Sequence, residues 1–422
     1  MIHMKNSLPE NTQHYDVVII GGGASGLMTA LVAAEHGKSV CILEKNKTAG
    51  NKLSITGGGR CNITNATFDV REFLKNYGDS ADFLYSPFSQ FSASDTFEFF
   101  ASRGLPLVTQ ARNRAFPASE RAPDVTDFFL QHLQSLNVQI HTGSRVRKLI
   151  TDGSDITGVD TGSRIITGDN YVLATGGVSH PETGSTGDGF KWLRDIGHTV
   201  TDPTPTIVPL AVRDRWVHNL SGVDLSFMKI TFFCDGVKQF SKTGKILFTH
   251  FGISGPLILN SSSQVAGLLK WGTVTASIDM YPDTDMGALE RNILKVFDTH
   301  KNKLLKNVLS EIVPTRLADT VMGLLPDIDY STPVHSVSRD DRKRIAGLLK
   351  NMPMSIKGLM GFDRAVIADG GVPLTEIDTR TFRSMKYTNL YITGDLLHVN
   401  RPSGGYSLQL CWTSGYVVGK NM

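Results

Sequence analysis

Three glycines and one acid make the first chemical statement of this chain. They lie in "HYDVVIIGGGASGLMTALVAAEHGKSVCILEK", residues 14–45, as Gly21-x-Gly23-x-x-Gly26, with Glu44 eighteen residues after the last glycine. Gly21 would allow a tight turn, Gly23 would let backbone approach a pyrophosphate, and Gly26 would permit close helix–strand packing. A helix starting at this turn offers unpaired N–H groups and a partial positive charge to phosphate. Glu44 can accept hydrogen bonds from ribose hydroxyls and would repel a 2′-phosphate. The chemistry implied is dinucleotide binding.

The elements that must position these groups can be read from the same stretch. Residues 17–20 form a short, fully apolar strand, residues 21–26 the turn, residues 27–36 a helix and residues 39–44 a second strand. A membrane span needs about 20 mostly apolar residues and gains nothing from a glycine cluster, so the stretch is read as soluble.

Three more segments favour FAD over NAD. "AGNKLSITGGGRCNITN" follows the second strand closely and is too polar and glycine-rich to be core. Its Gly57, Gly58 and Gly59 let backbone lie flat against a planar ring, and Lys52, Arg60 and Asn62 add donors for a pyrophosphate or carbonyl oxygens. "YVLATGG" sets Ala174, Thr175 and Gly176 at the carboxyl end of a buried strand, where open α/β sheets bind ligands. "LYITGD" ends another strand at Gly394 and Asp395, and Asp395 can accept from a ribityl hydroxyl. Gly404, Gly405, Tyr406 and Ser407 then open the last helix, whose N-terminus suits an electron-rich ring edge. An NAD domain is normally one contiguous block, whereas this set draws on both chain ends. Ala24, Ser25, Lys45, Thr56, Cys61 and Val146 complete the candidate cofactor-binding residues.

Together "GGGASGL", "GNKLSITGGGRCNITN", "ATGGVSHPETGSTGDG", "THFGISGP" and "TGDLLHVNRPSGGYSLQ" resemble the YhiN/BaiN-like family of FAD-dependent oxidoreductases over nearly the whole chain. The "TGSTGDG" loop is also similar to fumarate-reductase-type flavoproteins. The resemblance implies an α/β fold: a Rossmann-type FAD domain (1–203 and 363–422) interrupted by a β-barrel domain (204–283 and 346–362), itself carrying a helical subdomain (284–345). Texture along the chain agrees. Residues 206–282 are rich in β-branched and aromatic residues with a hairpin turn at Asp235-Gly236, and residues 284–350 switch to helical periodicity. The inserted domain is expected to cap the site. The resemblance implies hydride transfer between flavin and a small or medium organic substrate of the amine/ketone class, as in aminoacetone oxidases, or of the conjugated enone class. In "GDLLHVNRPSGGYSLQ" this chain departs from the family pattern at Asp395, His398, Asn400 and residues 401–403.

No catalytic side chain is assigned, because flavin carries hydride chemistry at N5 and needs orientation and water exclusion from the protein. Arg60 could bind phosphate or polarise a substrate carbonyl. Tyr406 and His398 are proton-donor candidates weighed against packing roles; Cys61 could sit near the flavin or pack in the core, and His180 and His250 could line a pocket. No second Gly-x-Gly-x-x-Gly unit follows another strand. The redox partner is expected to be NAD(P)H or oxygen; NAD(P)H, if used, is a dissociable co-substrate entering the substrate cleft, which gives ping-pong kinetics.

The 422 residues are 40% hydrophobic and 20% charged with a net charge of +3, ordinary for a globular protein. That mild basicity favours a small-molecule substrate with no nucleic-acid partner. A flavin-dependent nucleic-acid-modifying enzyme and a non-enzymatic flavin redox sensor are the rival classes. The four cysteines form no Cys-x-x-Cys pair, and no metal site is expected. "MIHMKNSLPENTQHYD" lacks the apolar core of a signal peptide, so a cytoplasmic location is expected. Oligomeric state is not legible.

Overall fold

The computed structural model describes residues 13–422, so most of the N-terminal stretch that lacks a signal-peptide core lies outside the described residues. Contacts divide the chain into two units, Thr206–Arg364 and the remainder.

In the Rossmann unit the central strand is His14–Ile20. It is buried on both faces from Val17 onward, as an inner strand of a parallel sheet must be. It pairs in parallel with Val40–Leu43 on one side and Ile165–Leu173 on the other. Gln139–His141 extends the first edge, and Leu390–Ile392 pairs in parallel with residues 171–173. Lys148–Asp152 and Asp155–Asp160 add an antiparallel flank. Between Gln139–His141 and Lys148–Asp152 the chain leaves the sheet over residues 142–147. The first helix, Ala24–Glu35, begins inside the glycine motif, three residues earlier than its apolar pattern suggests. Helices Ala81–Gln90, Ala93–Ser102 and Ala122–Ser135 follow the glycine-rich segment, with the short strands Leu107–Gln110 and Arg114–Pro117 between the last two.

The C-terminal helix Tyr406–Lys420 packs on the first helix through small residues one turn apart. A Cβ on Gly415 would sit 2.6 Å from Ser25 O, and one on Gly419 would sit 2.8 Å from Thr29 O. Only hydrogen fits at either position. The same helix is tied to the glycine-rich segment by two buried polar groups. Trp412 Nε1 donates to Ile63 O at 2.9 Å. Gln409 accepts from Thr64 Oγ1 (2.5 Å) and Thr96 Oγ1 (3.0 Å) and donates to Ser92 O (3.2 Å) and Thr413 Oγ1 (3.1 Å). A fully buried amide with every site satisfied fixes its neighbours and costs little.

In the inserted unit six antiparallel strands close a barrel: Leu210–Val212, Gly252–Ser254, Val237–Thr249, Asp224–Cys234, Val274–Asp279 and Met352–Leu359, in that order around it. Ile230, Phe232, Ile246, Phe248, Ile278 and Ile356 point inward. The helices Met286–Thr299, Thr315–Leu324 and Arg339–Lys350 belong to this unit's own core. Leu289, Ile293 and Phe297, spaced by four, form the buried stripe of the first of them.

Candidate functional site

The motif glycines are needed for three different reasons. Gly21 has φ +108°, and a Cβ there would meet Ala174 O at 2.5 Å. A Cβ on Gly26 would sit 2.1 Å from Gly21 O, so this glycine lets helix and turn touch. Gly23 has φ −86°, which any residue adopts, and its nearest neighbour to a Cβ is Ala174 O at 3.9 Å. The fold does not require Gly23; the space in front of it does. Gly23 N-caps the first helix without a side-chain cap or an acidic residue in the first turn. Orphan N–H groups there are available to an anion.

Glu44 is buried, and its carboxylate accepts from Gly22 N–H (2.9 Å) and Asn46 N–H (2.8 Å). It therefore holds the glycine turn as well as facing the cleft. Lys45 reaches across to Thr186 Oγ1 (2.5 Å) and Asp188 Oδ2 (2.7 Å), and Asn46 Nδ2 donates to Thr183 O (2.9 Å). These bonds fasten the 183–186 loop, whose "TGSTGDG" sequence was noted for its likeness but given no site residue.

In the second segment Gly57, Gly58 and Gly59 all have left-handed backbone, at φ +59°, +68° and +85°. With its amide turned to satisfy both groups, Asn62 accepts from Gly405 N–H (2.9 Å) and donates to Ala115 O (3.2 Å). This bond joins the glycine-rich segment to the start of the last helix, where a Cβ on Gly405 would sit 2.3 Å from Thr64 C.

Lys52 and Asp395 meet deeper in. Lys52 Nζ donates to Ser179 Oγ (2.6 Å) and lies 3.8 Å from Asp395 Oδ2. Burial lowers the pKa of Lys52. Asp395 also binds Arg401, itself buried, whose Nε reaches Ser407 Oγ (3.2 Å) and whose Nη1 donates to Val399 O (2.6 Å). Burial alone would raise the Asp395 carboxyl pKa, but Arg401 and Lys52 outweigh it and hold it below its ordinary value. Arg401 and the 183–186 loop are what sequence reasoning missed. The departure from the family pattern at residues 401–403 was the available signal.

A cleft of about 390 Å³ lies along these segments, entirely within the Rossmann unit. From the first turn it is lined by Gly21, Gly23, Ala24 and Ser25, and beside them by Glu44 and Lys45. Lys52, Thr56, Gly57, Gly58 and Asn62 line it from the second segment, and Val146, Ala174, Thr175 and Gly176 from the sheet. Asp395, Gly405 and Ser407 close the set from the C-terminal end.

Six of the expected residues do not line it, Gly59 among them. Gly26 and Gly394 are packing glycines; a Cβ on Gly394 would meet Ser25 Oγ at 3.0 Å. The Arg60 guanidinium is taken by Glu120 (2.6 Å) and Gln110 (2.7 Å) and lies 4.3 Å from the Phe116 ring centroid. Cys61 is buried, which pushes its thiol pKa up to about 12. Tyr406 packs against Phe73 and Tyr77, with centroids at 4.9 and 6.1 Å. The histidines weighed in sequence are also elsewhere: His180 pairs with Glu182 at 2.8 Å, His398 with Asp369 at 3.4 Å, and His250 packs on Phe251.

A dinucleotide fits this donor set. There is open space at Gly23, an uncapped helix N-terminus, a buried carboxylate at the end of the second strand, and an ammonium with one of three donors used. Among the described residues no helix is long and apolar enough to cross a membrane, and no group of three or more His, Cys, Asp and Glu could hold a metal.

Comparison with known proteins gives the family and the fold. Residues 15–421 match the HI0933-like protein Rossmann domain family. The chain is 31% identical over 410 residues to a 3-dehydro-bile acid delta(4,6)-reductase of Clostridium scindens, covering 95% of this chain and 97% of that protein. It is 26% identical to a ribosomal RNA dihydrouridine synthase of Escherichia coli, covering 97% and 98%. Among solved structures it shares the fold of a flavocytochrome c3 fumarate reductase, with a TM-score of 0.55 at 15% identity over 98% of this chain and 78% of that one. The chain belongs to the HI0933-like family and is an FAD-dependent oxidoreductase.

Proposed function

We propose that this enzyme saturates a carbon–carbon double bond conjugated to a carbonyl group. The observation that carries the reading is the near full-length match to a reductase acting on delta(4,6) bonds of a 3-dehydro bile acid. The second relative's product, dihydrouridine, differs from uridine by saturation of a ring double bond conjugated to a carbonyl. The two names describe one chemistry on different carriers, and that shared acceptor is the more economical reading than an amine or ketone oxidase.

Bound FAD supplies the hydride, at N5. The chain's own part is to hold the cofactor and place charge. Gly21, Gly23, Ala24 and Ser25, with the first helix's N–H groups, suit the pyrophosphate; Glu44 suits the adenosine ribose. Lys45, Lys52, Thr56, Gly57, Gly58, Asn62, Val146, Ala174, Thr175, Gly176, Asp395, Gly405 and Ser407 complete the proposed contacts. Gly26, Arg60, Cys61, Gly394 and Tyr406 act behind them, through packing. The N-terminus of the helix Tyr406–Lys420 is uncapped by side chains and opens on the cleft, offering partial positive charge to an oxygen that gains electron density. Cys411 also lines the cleft, but burial pushes its thiol pKa to about 12, which removes it as an acid at neutral pH. NAD(P)H is the proposed electron donor, alternating with the acceptor.

The test is anaerobic. Protein carrying photoreduced flavin is mixed with a steroid dienone, a uridine oligonucleotide, a saturated ketone and an imine, and flavin absorbance is followed. Reoxidation by a conjugated acceptor, with the saturated ketone inert, is expected. Reoxidation by the imine or by oxygen alone would overturn the reading.

A further inference from the structure

The inserted unit has a charge of its own. Residues Thr206–Arg364 carry 20 lysines and arginines against 15 aspartates and glutamates, net +5, while the remainder of the chain carries 23 against 25, net −2. The positive excess coincides with unusually exposed rings. Trp271 is 84% exposed and Phe227 76%, with Val237 at 64%.

Phe227 and Val237 lie on the hairpin strands Asp224–Cys234 and Val237–Thr249, and Trp271 lies just before the strand Val274–Asp279. Along Asp224–Cys234 the side chains alternate, with Ile230 and Phe232 buried and Lys229, Thr231 and Phe233 on the outer side. On the neighbouring strand Thr243 lies opposite Lys229, Ser241 opposite Thr231, and Lys238 opposite Phe233. The Thr231 and Ser241 hydroxyls are 2.9 Å apart. At the hairpin end Asp235 accepts from Thr273 N–H (2.9 Å), which ties the chain two residues after Trp271 to the Asp235-Gly236 turn. At the far end the register shifts between Leu225 and Met228, and Phe227 stands out at φ +59°. A bulky aromatic in that region is strained. The strand rises about 20 Å from Phe227 to Phe233.

Three carboxylates lie on or beside these strands: Asp224, Asp279 opposite Lys229, and Asp235 at the hairpin turn. Asp224 is matched by Lys245 and Asp279 by Lys350, each at 2.7 Å. Among the described residues Lys229, Lys238 and Lys270 pair with no carboxylate. Two rings at the ends of a stripe of hydroxyls and ammonium groups do not form the contiguous apolar patch that a membrane or a protein core would bury. They match a polyanion with unpaired bases, in which rings stack on bases and ammonium groups meet phosphates.

We propose that this outer face of the barrel docks single-stranded nucleic acid, with Trp271 and Phe227 as stacking platforms and Lys229, Lys238 and Lys270 as phosphate contacts. The link to activity rests on the reductase reading, since a pyrimidine carries a double bond of the required kind. The surface itself stands apart from that reading.

The experiment uses the full FAD-loaded chain and a fluorescein-labelled oligouridylate, followed by anisotropy across a salt series. Wild type should bind with an affinity that falls steeply with salt. Trp271→Ala should weaken binding about five- to 150-fold, the equivalent of one lost stack at about 1–3 kcal/mol. Lys238→Gln with Lys270→Gln should flatten the log–log salt slope by about 1.4, at about 0.7 per phosphate contact. Flavin content and thermal midpoint should stay at wild-type values in all variants, which separates lost binding from lost fold. No binding at low salt, equal binding of duplex, preference for anionic vesicles, or indifference to both variants would overturn the proposal. A dienone reduced by protein that ignores the oligonucleotide would sink this inference and leave the reductase reading intact. An oligonucleotide bound by protein inert to every conjugated acceptor would do the reverse.

Discussion

Replacing Gly23 and Gly26 by valine and alanine respectively should separate ligand space from packing space within one motif. A Cβ at Gly26 would meet Gly21 O at 2.1 Å, a backbone atom that cannot rotate away. Gly26→Ala should therefore cost about 3 kcal/mol or more of stability, the upper range for overpacking. At Gly23 a side chain finds its nearest neighbour at 3.9 Å, and φ −86° suits a β-branched residue. Gly23→Val should leave the cofactor-free fold within about 1 kcal/mol of wild type, or slightly more stable because the unfolded chain loses freedom. Its side chain occupies the space before the first helix's N–H groups. If two charge-assisted hydrogen bonds to phosphate are lost at about 1.5–3 kcal/mol each, FAD affinity should fall by at least about 100-fold. Urea unfolding of flavin-free protein reads the first effect and FAD titration by flavin fluorescence the second. A folded Gly23→Val protein with wild-type FAD affinity would refute the argument. So would equal destabilisation by the two substitutions.

Three further outcomes follow from buried charge and burial. Arg401→Met leaves Asp395 buried with only the 3.8 Å Lys52 contact, and should cost about 3 kcal/mol in urea unfolding; adding Asp395→Leu should restore at least half, and an additive double mutant would contradict the pairing. Burial would raise the pKa of Glu376, but hydrogen bonds from Thr199, His198 and Lys386 outweigh it and bring it down to about 2. Its stabilisation is full above the ordinary carboxylate range and is lost as pH falls toward 2, so Glu376→Gln should flatten the thermal midpoint's decline between pH 5 and pH 2; an unchanged decline would exclude Glu376 as its source. Burial holds Cys41, Cys61 and Cys411 at about 12, so a thiol reagent at pH 8 should modify no more than Cys234 in native protein and all four after unfolding; rapid native labelling of Cys61 or Cys411 would contradict the geometry.

What could be read without the structure was whatever local chemistry dictates. Gly21 and Gly26 are forced by contacts within one strand–turn–helix, so their spacing alone announced them. Strong periodicity placed the helices of residues 284–350 and the last helix, and Asp235-Gly236 marked its hairpin. The misses are long-range. Arg60 looked available on a glycine-rich loop, but Glu120, sixty residues on, takes its guanidinium. Tyr406 opens a helix beside the cleft, yet its ring is claimed by Phe73 and Tyr77. Glu44 was legible as a ribose acid, while its grip on Gly22 N–H needed the turn to exist. The whole-chain charge of +3 is the sum of a +5 unit and a −2 unit, so it conceals the positive excess of the inserted unit.

The central claim is reduction of a conjugated double bond, and the position of new hydrogen tests it most directly. Flavin photoreduced in deuterium oxide under anaerobic conditions, mixed with a steroid dienone, should bleach back in a single turnover. The product should carry deuterium at both carbons of one former double bond, with the carbonyl intact. An alcohol product, deuterium at the carbinol carbon, or flavin that reoxidises only when oxygen is admitted would contradict the account.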